Sequence, residues 1–93
     1  MAKTPNVDIT YCRLCNWGLR ASWMAQELLS TFAEIGSVTL TPDATGGVFE
    51  VRINEQLVWS RKEMGRFPDI GELKRLTRDH IAPERSLGHV DKR

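Results

Sequence analysis

The chain has 93 residues, with 13 Lys and Arg against 12 Asp and Glu and a formal net charge of +1. That length supports one hydrophobic core and so one domain over 1–93. An even charge balance argues against a nucleic-acid footprint, and no run reaches the ~20 apolar residues of a membrane span. Apolar residues at 41% and charged residues at 27% fit a folded body better than a disordered one.

Residues 1–5 read as a loose lead-in ending at Pro5. Asn6 to Tyr11 then alternates Val7, Ile9 and Tyr11 with Asp8 and Thr10, the period of a strand with one buried face. This strand delivers the chain to Cys12. From about Cys15 to Glu34 the period becomes helical. Trp17, Ala21, Met24, Ala25, Leu28, Phe32 and Ile35 fall on one arc, and Gly36 reads as the stop. Trp23 falls on the polar arc, where it either lies flat on its neighbours or serves an interface.

Ser37 to Leu40 predicts a short strand, and Thr41 to Gly47 a loop rich in turn-forming residues. Val48 to Ile53 alternates again. Asn54-Glu55 predicts a two-residue hairpin turn, with Gln56 to Ser60 as the returning strand. In the simplest register Val51 pairs with Val58, which places Leu57 and Trp59 on the opposite, helix-free face. That exposed apolar pair is either partly covered by loops or the surface of a homodimer. Arg61 to Pro68 reads as a charged connector. Asp69 and Glu72 have capping-box spacing, and Ile70, Leu73, Leu76 and Ile81 give a helix over about Asp69 to His80, stopped by Pro83. The tail over 84–93 has only Leu87 and Val90 as apolar residues and is expected to be loosely held. The order is β-α-β-β-β-α, an α/β domain with a mixed four-stranded sheet and two helices on one face.

Both cysteines lie at the first strand-to-helix junction, as Cys12-Arg13-Leu14-Cys15. Two intervening residues let the sulfurs reach bonding distance. A helix N-terminus carries partial positive charge that favours a thiolate, and Arg13 adds to it. The pair therefore points to thiol–disulfide exchange, in which one thiolate attacks and the other resolves. Loop geometry makes Cys12 the exposed attacker and Cys15 the resolver, with Trp17 shielding one side. A Cys-x-x-Cys pair is also half a zinc site, but the other half is missing: His80 and His89 stand at a helix end and in the tail. Two inert buried cysteines are a third reading. His80 is better placed to meet last-turn carbonyls than to act as a base, and Asp43 and Glu50 suggest no acid–base pair.

The chain resembles the bacterial members of the selenoprotein W, T and H family of small thioredoxin-like proteins. The likeness rests on Tyr11-Cys12-Arg13-Leu14-Cys15, on Thr41-Pro42-Asp43-Ala44-Thr45-Gly46 leading into Phe49-Glu50-Val51, and on Gly65-Arg66-Phe67-Pro68. It extends from residue 7 to about 83, and Gly88-His89-Val90-Asp91 in the tail is similar as well. The resemblance implies a thioredoxin-like fold and a redox role. Animal relatives carry selenocysteine at the position of Cys15, which implies that Cys15 is the more reactive member, against the loop argument for Cys12.

The expected function is thiol–disulfide oxidoreduction through Cys12 and Cys15 in cell redox homeostasis. It calls for no cofactor or metal, and a thiol or disulfide partner, glutathione or a protein. The alternative is a redox-controlled interaction module without significant turnover. Met1 to Asn6 has no apolar signal region, so the expected location is cytoplasmic.

Overall fold

Alternation of Val7 and Ile9 with Asp8 and Thr10 builds the strand on which the rest of the sheet assembles, β1 (Asn6–Cys12), in a computed structural model that describes residues 4–88. β1 is central. It pairs in parallel with β2 (Ser37–Asp43) and antiparallel with β3 (Phe49–Ile53), which in turn pairs antiparallel with β4 (Gln56–Ser60), giving the order β2-β1-β3-β4. The described residues also form three α-helices: α1 (Gly18–Thr31), the single-turn α2 (Arg61–Met64) and α3 (Ile70–Ile81).

Val7 stands opposite Ile53 and Ile9 opposite Val51, so these side chains share a face. Ala21, Met24, Ala25 and Leu28 of α1 and Leu73 of α3 join them in one core with Phe32, Phe49 and Trp59. Burying such aliphatic and aromatic side chains contributes roughly 1.5–3 kcal/mol each. The opposite face carries Asp8, Thr10, Glu50 and Arg52, where Arg52 Nη1 meets Glu50 Oε1 at 2.7 Å. Both main helices therefore lie on one side of a mixed sheet, as the periodicities predict.

The hairpin departs from its expected register. Asn54 and Glu55 both take positive φ (50° and 73°), the two-residue turn anticipated. Beyond it Arg52 pairs with Leu57 but Val51 pairs with Trp59, not Val58, because a bulge falls between Val51 and Arg52. One extra residue reverses the alternation. Trp59 is consequently turned into the core, 3% exposed, with its indole N–H donating to the Arg66 carbonyl at 3.1 Å. Leu57 and Trp59 therefore do not share an exposed face: of the two, only Leu57 faces solvent.

Element ends differ too. Helix α1 starts at Gly18 rather than Cys15, because Arg13–Cys15 forms a 3-10 turn and Asn16 turns the chain through a left-handed conformation (φ 60°). It ends at Thr31, where extended Phe32 donates its N–H to the Leu28 carbonyl at 2.9 Å. Gly36 is not the stop. Its N–H donates to the Pro5 carbonyl at 2.8 Å, and a Cβ there would run into the Thr4 side chain. β2 continues through Thr41, Pro42 and Asp43, which were expected in a loop, since all three pair with β1. Pro42 tolerates this on an edge strand, and no cis peptide bond occurs among the described residues. The connector contains α2, begun by Ser60 Oγ accepting from the Glu63 N–H and closed by Gly65 at φ 79°.

Helix α3 has the predicted capping box: the Glu72 N–H donates to Asp69 Oδ1 at 2.8 Å, and the Asp69 N–H to Glu72 Oε1. The start of the tail is held. Arg85 reaches the Thr31 carbonyl and Glu34, while Leu87 packs on the core. The rest of the tail, with His89 and Val90, and the first three residues of the lead-in lie outside the described residues.

Candidate functional site

The end of β1 and the 3-10 turn after it place the two cysteines 5.4 Å apart at Cα, within the usual span of a disulfide, and Cys12 and Cys15 are bonded. Their surroundings are unequal. Cys12 closes β1, fully buried, with its N–H donating to the Val48 carbonyl at 2.8 Å. Cys15 ends the turn half-buried, and Arg13 and Leu14 between them are exposed. The premise that Cys12 is the exposed member is corrected: β1 pairs with β2 and β3 through its last residues, and that pairing encloses Cys12, whereas the turn lifts Cys15 towards solvent.

The dithiol is also not at the helix start itself. Asn16 and Trp17 separate Cys15 from α1, and Trp17 takes the cap position without a side-chain cap bond. The first turn of α1 has no acidic residue, so its positive end keeps its field. Asp43 is the register partner of Cys12. Its carboxylate accepts the Thr45 N–H at 2.7 Å, a bond that holds its pKa below the ordinary value of 3.8, with Arg13 adding a smaller attraction.

Trp17 packs onto Phe67, edge to face at 4.8 Å between centroids, and Phe67 meets Phe49 at 5.0 Å. This aromatic cluster ties the end of the cysteine turn to the α2–α3 connector. Two guanidiniums cover it: Arg20 lies 4.2 Å from the Phe67 centroid, and Arg61 lies 5.0 Å from Phe67 and 4.9 Å from Trp17. Neither arginine nor Phe67 stands out in the sequence as a site residue. Arg61 reads as one charge in a charged connector, and its contacts depend on the unanticipated α2.

One cleft lies beside the cysteine turn and a second beside the start of β3. The first, shallow and of about 550 Å³, is lined by Tyr11, Arg13, Asn16, Leu19 and Pro42. The other, about 440 Å³, lies between the Thr45–Phe49 segment and Arg61 and Lys62. His80 belongs to α3, where its Nδ1 lies 2.9 Å from the Leu76 carbonyl one turn back rather than from a carbonyl of the last turn. Glu50 is held by Arg52, away from any pairing with Asp43. No three His, Cys, Asp or Glu side chains gather into a ligand set among the described residues, and no described helix is long and apolar enough to cross a membrane.

A crystal structure of a protein from Bordetella parapertussis is 50% identical, with a TM-score of 0.82 over 85% of this chain and 100% of that one. A selenoprotein W-related protein from Vibrio cholerae is 48% identical, with a TM-score of 0.80 over 84% and 98% of the two chains. No curated protein matches the chain. The sequence model of the Rdx family matches residues 6–79, which span β1, the disulfide and nearly all of α3, and the chain belongs to that family.

Proposed function

We propose that the protein is a thiol–disulfide oxidoreductase of the cytoplasm, cycling Cys12 and Cys15 between dithiol and disulfide with Cys15 as the attacking sulfur. The observation that carries this reading is the asymmetry of the bonded pair: Cys12 is fully buried at the end of β1, and Cys15 is reached by solvent. In the reducing direction the Cys15 thiolate attacks one sulfur of a substrate disulfide, forming a mixed disulfide and releasing the other half as a thiolate. Cys12, deprotonated, then attacks the Cys15 sulfur, and the second substrate half leaves as a thiolate. Two electrons pass to the substrate, and two equivalents of an external thiol restore the dithiol. This division agrees with selenocysteine standing at the Cys15 position in animal relatives.

The test is adduct trapping. With Cys12→Ser, reaction with a model disulfide should stop at a mixed disulfide on Cys15, seen as one added substrate half by mass spectrometry. Cys15→Ser should accumulate little adduct. The reverse pattern would reassign the attacker, and turnover by both variants would remove the mechanism.

The second reading, a redox-controlled interaction module, is favoured by a different surface from the one expected. Leu14 between the cysteines is 73% exposed and Leu19 in the first turn of α1 is 86% exposed. Partner binding that differs between the dithiol and disulfide forms, with negligible disulfide turnover, would select it.

A further inference from the structure

A net charge of +1 conceals an uneven distribution of paired and unpaired cations. Arg52, Arg66, Lys74, Arg78 and Arg85 each hold a carboxylate, at 2.7–2.9 Å. The side chains of Arg20, Arg61 and Lys62 make no ion pair and no hydrogen bond among the described residues. Two of these three surround the aromatic cluster that follows Cys15.

Arg61 is the most constrained of them. Its guanidinium lies over both Trp17 and Phe67, and its Nε is buried without a hydrogen-bond partner. Aromatic faces attract a cation but leave its in-plane N–H donors unsatisfied. The guanidinium is therefore held in place by ring contacts alone, and its charge is not matched by any carboxylate among the described residues. Arg20 approaches the same Phe67 ring, so the two guanidiniums are no further apart than their distances of 4.2 and 5.0 Å to one centroid allow.

Arg61 and Lys62 also line the cleft of about 440 Å³ whose opposite wall is Thr45, Gly46 and Val48. Its volume is that of a small-molecule site. Val48 also accepts the backbone N–H of Cys12, so this wall of the cleft is tied to the end of β1 that carries the disulfide. Glu50, the carboxylate lining it, is already neutralised by Arg52.

We propose that Arg61, assisted by Arg20 and Lys62, forms an anion subsite that takes a carboxylate of the thiol substrate while its sulfur meets Cys15. This rests on the redox reading above. In the step concerned, a substrate thiolate attacks the Cys15 sulfur, the Cys12–Cys15 bond breaks and Cys12 leaves as a thiolate. A second substrate thiolate then attacks the substrate sulfur of the mixed disulfide, releasing reduced Cys15 and a substrate disulfide. The subsite acts by charge-assisted hydrogen bonding and by raising the local concentration of anionic thiols.

The test compares reduction of the protein disulfide by mercaptopropionate and by neutral mercaptopropanol, per thiolate and at low salt. The expected result is a preference of about tenfold for the anion, falling towards one with added salt. It should be lost in Arg61→Met and partly retained in Arg61→Lys, with Arg20→Met as a second variant should Arg61→Met fail to fold. Cysteinyl peptides with Asp or Asn beside the thiol separate the sources: a gain with Asp assigns the subsite to acidic protein thiols, and a gain confined to mercaptopropionate assigns it to small ones. Titration with methylthiopropionate, which cannot exchange, should shift the Trp17 indole resonance where its methyl ester does not, whether or not the disulfide turns over. Equal rates with the two thiols in wild type, or a preference unchanged in Arg61→Met and Arg20→Met, would overturn the subsite while leaving the redox chemistry standing. No reduction by either thiol with the titration shift intact would overturn the redox reading and keep the subsite.

Discussion

Arg66 grips Glu72 with two parallel bonds, Nη1 to Oε1 at 2.8 Å and Nη2 to Oε2 at 2.9 Å, while Glu72 also closes the capping box of α3. The same Arg66 offers its carbonyl to the Trp59 indole and its guanidinium to the Trp59 ring at 5.0 Å. One carboxylate thus links a helix start to the edge of the sheet. The hydrogen bond from Arg66, opposed by some desolvation, lowers the Glu72 pKa from its ordinary 4.5. A depressed folded-state pKa contributes stability above the unfolded value and loses it as pH falls through the folded value. Thermal unfolding followed from pH 7 down to pH 2 should show a decline below about pH 4.5 that Glu72→Gln flattens. A decline of equal slope in the variant would assign it to other carboxylates.

Asp69 provides the other half of the box, through the 2.8 Å bond from the Glu72 N–H. Asp69→Ala should destabilise the protein by about 1 kcal/mol, and Asp69→Asn or Asp69→Ser by distinctly less, because each keeps an acceptor for that N–H. Chemical denaturation distinguishes these, with the m-value expected to stay constant.

The β3–β4 turn holds Glu55 at φ 73°, where a side chain costs about 1 kcal/mol relative to glycine. Glu55→Gly should therefore stabilise the fold by up to that amount, less the entropy that glycine adds to the unfolded chain. A lower denaturation midpoint would mean that the Glu55 side chain makes a compensating contact.

Much of this architecture is legible in the residues because two periods rarely coexist in one segment. Val7, Ile9 and Tyr11 can bury one face only as a strand, and Ile70, Leu73 and Leu76 only as a helix. Asp69 and Glu72 announce their helix start directly. The bulge at Val51/Arg52 leaves no such mark: Leu57, Val58 and Trp59 are all apolar, so either alternation is consistent with them, and only packing chooses Trp59 for the core. At the site, the spacing of Cys12 and Cys15 reveals the pair, yet their unequal exposure depends on how β2 and β3 enclose the end of β1. Arg20 and Arg61 look like ordinary surface charges until Phe67 is placed between α1 and α2.

Trp59 sits where the bulge and the Arg66 carbonyl both require it, so its truncation tests the hairpin register directly. Trp59→Ala should cost about 3–5 kcal/mol, as for other large-to-small core changes. Trp59→Phe should cost less, since it fills most of the volume and loses the indole bond to Arg66. Leu57→Ala, one residue before the extra residue and facing solvent, should change stability by under ~1 kcal/mol. Equal losses at Leu57 and Trp59 would contradict the bulged pairing.

Reactivity of the reduced protein should follow the asymmetry of the oxidised one. Cys12 is enclosed at the end of β1, and an alkylating reagent can reach it only through local opening, whereas Cys15 ends an exposed turn beside Arg13. With limiting iodoacetamide, peptide mapping should find Cys15 modified at least tenfold faster than Cys12. The thiolate is the reacting form, so the Cys15 rate should rise with pH along a single titration curve. Arg13→Glu, which exchanges a nearby positive charge for a negative one, should move that curve to higher pH by disfavouring the thiolate. An unmoved curve would mean that the field at Cys15 comes from the first turn of α1 alone. Equal labelling of both cysteines in a protein that remains folded would show that the burial of Cys12 does not outlast reduction.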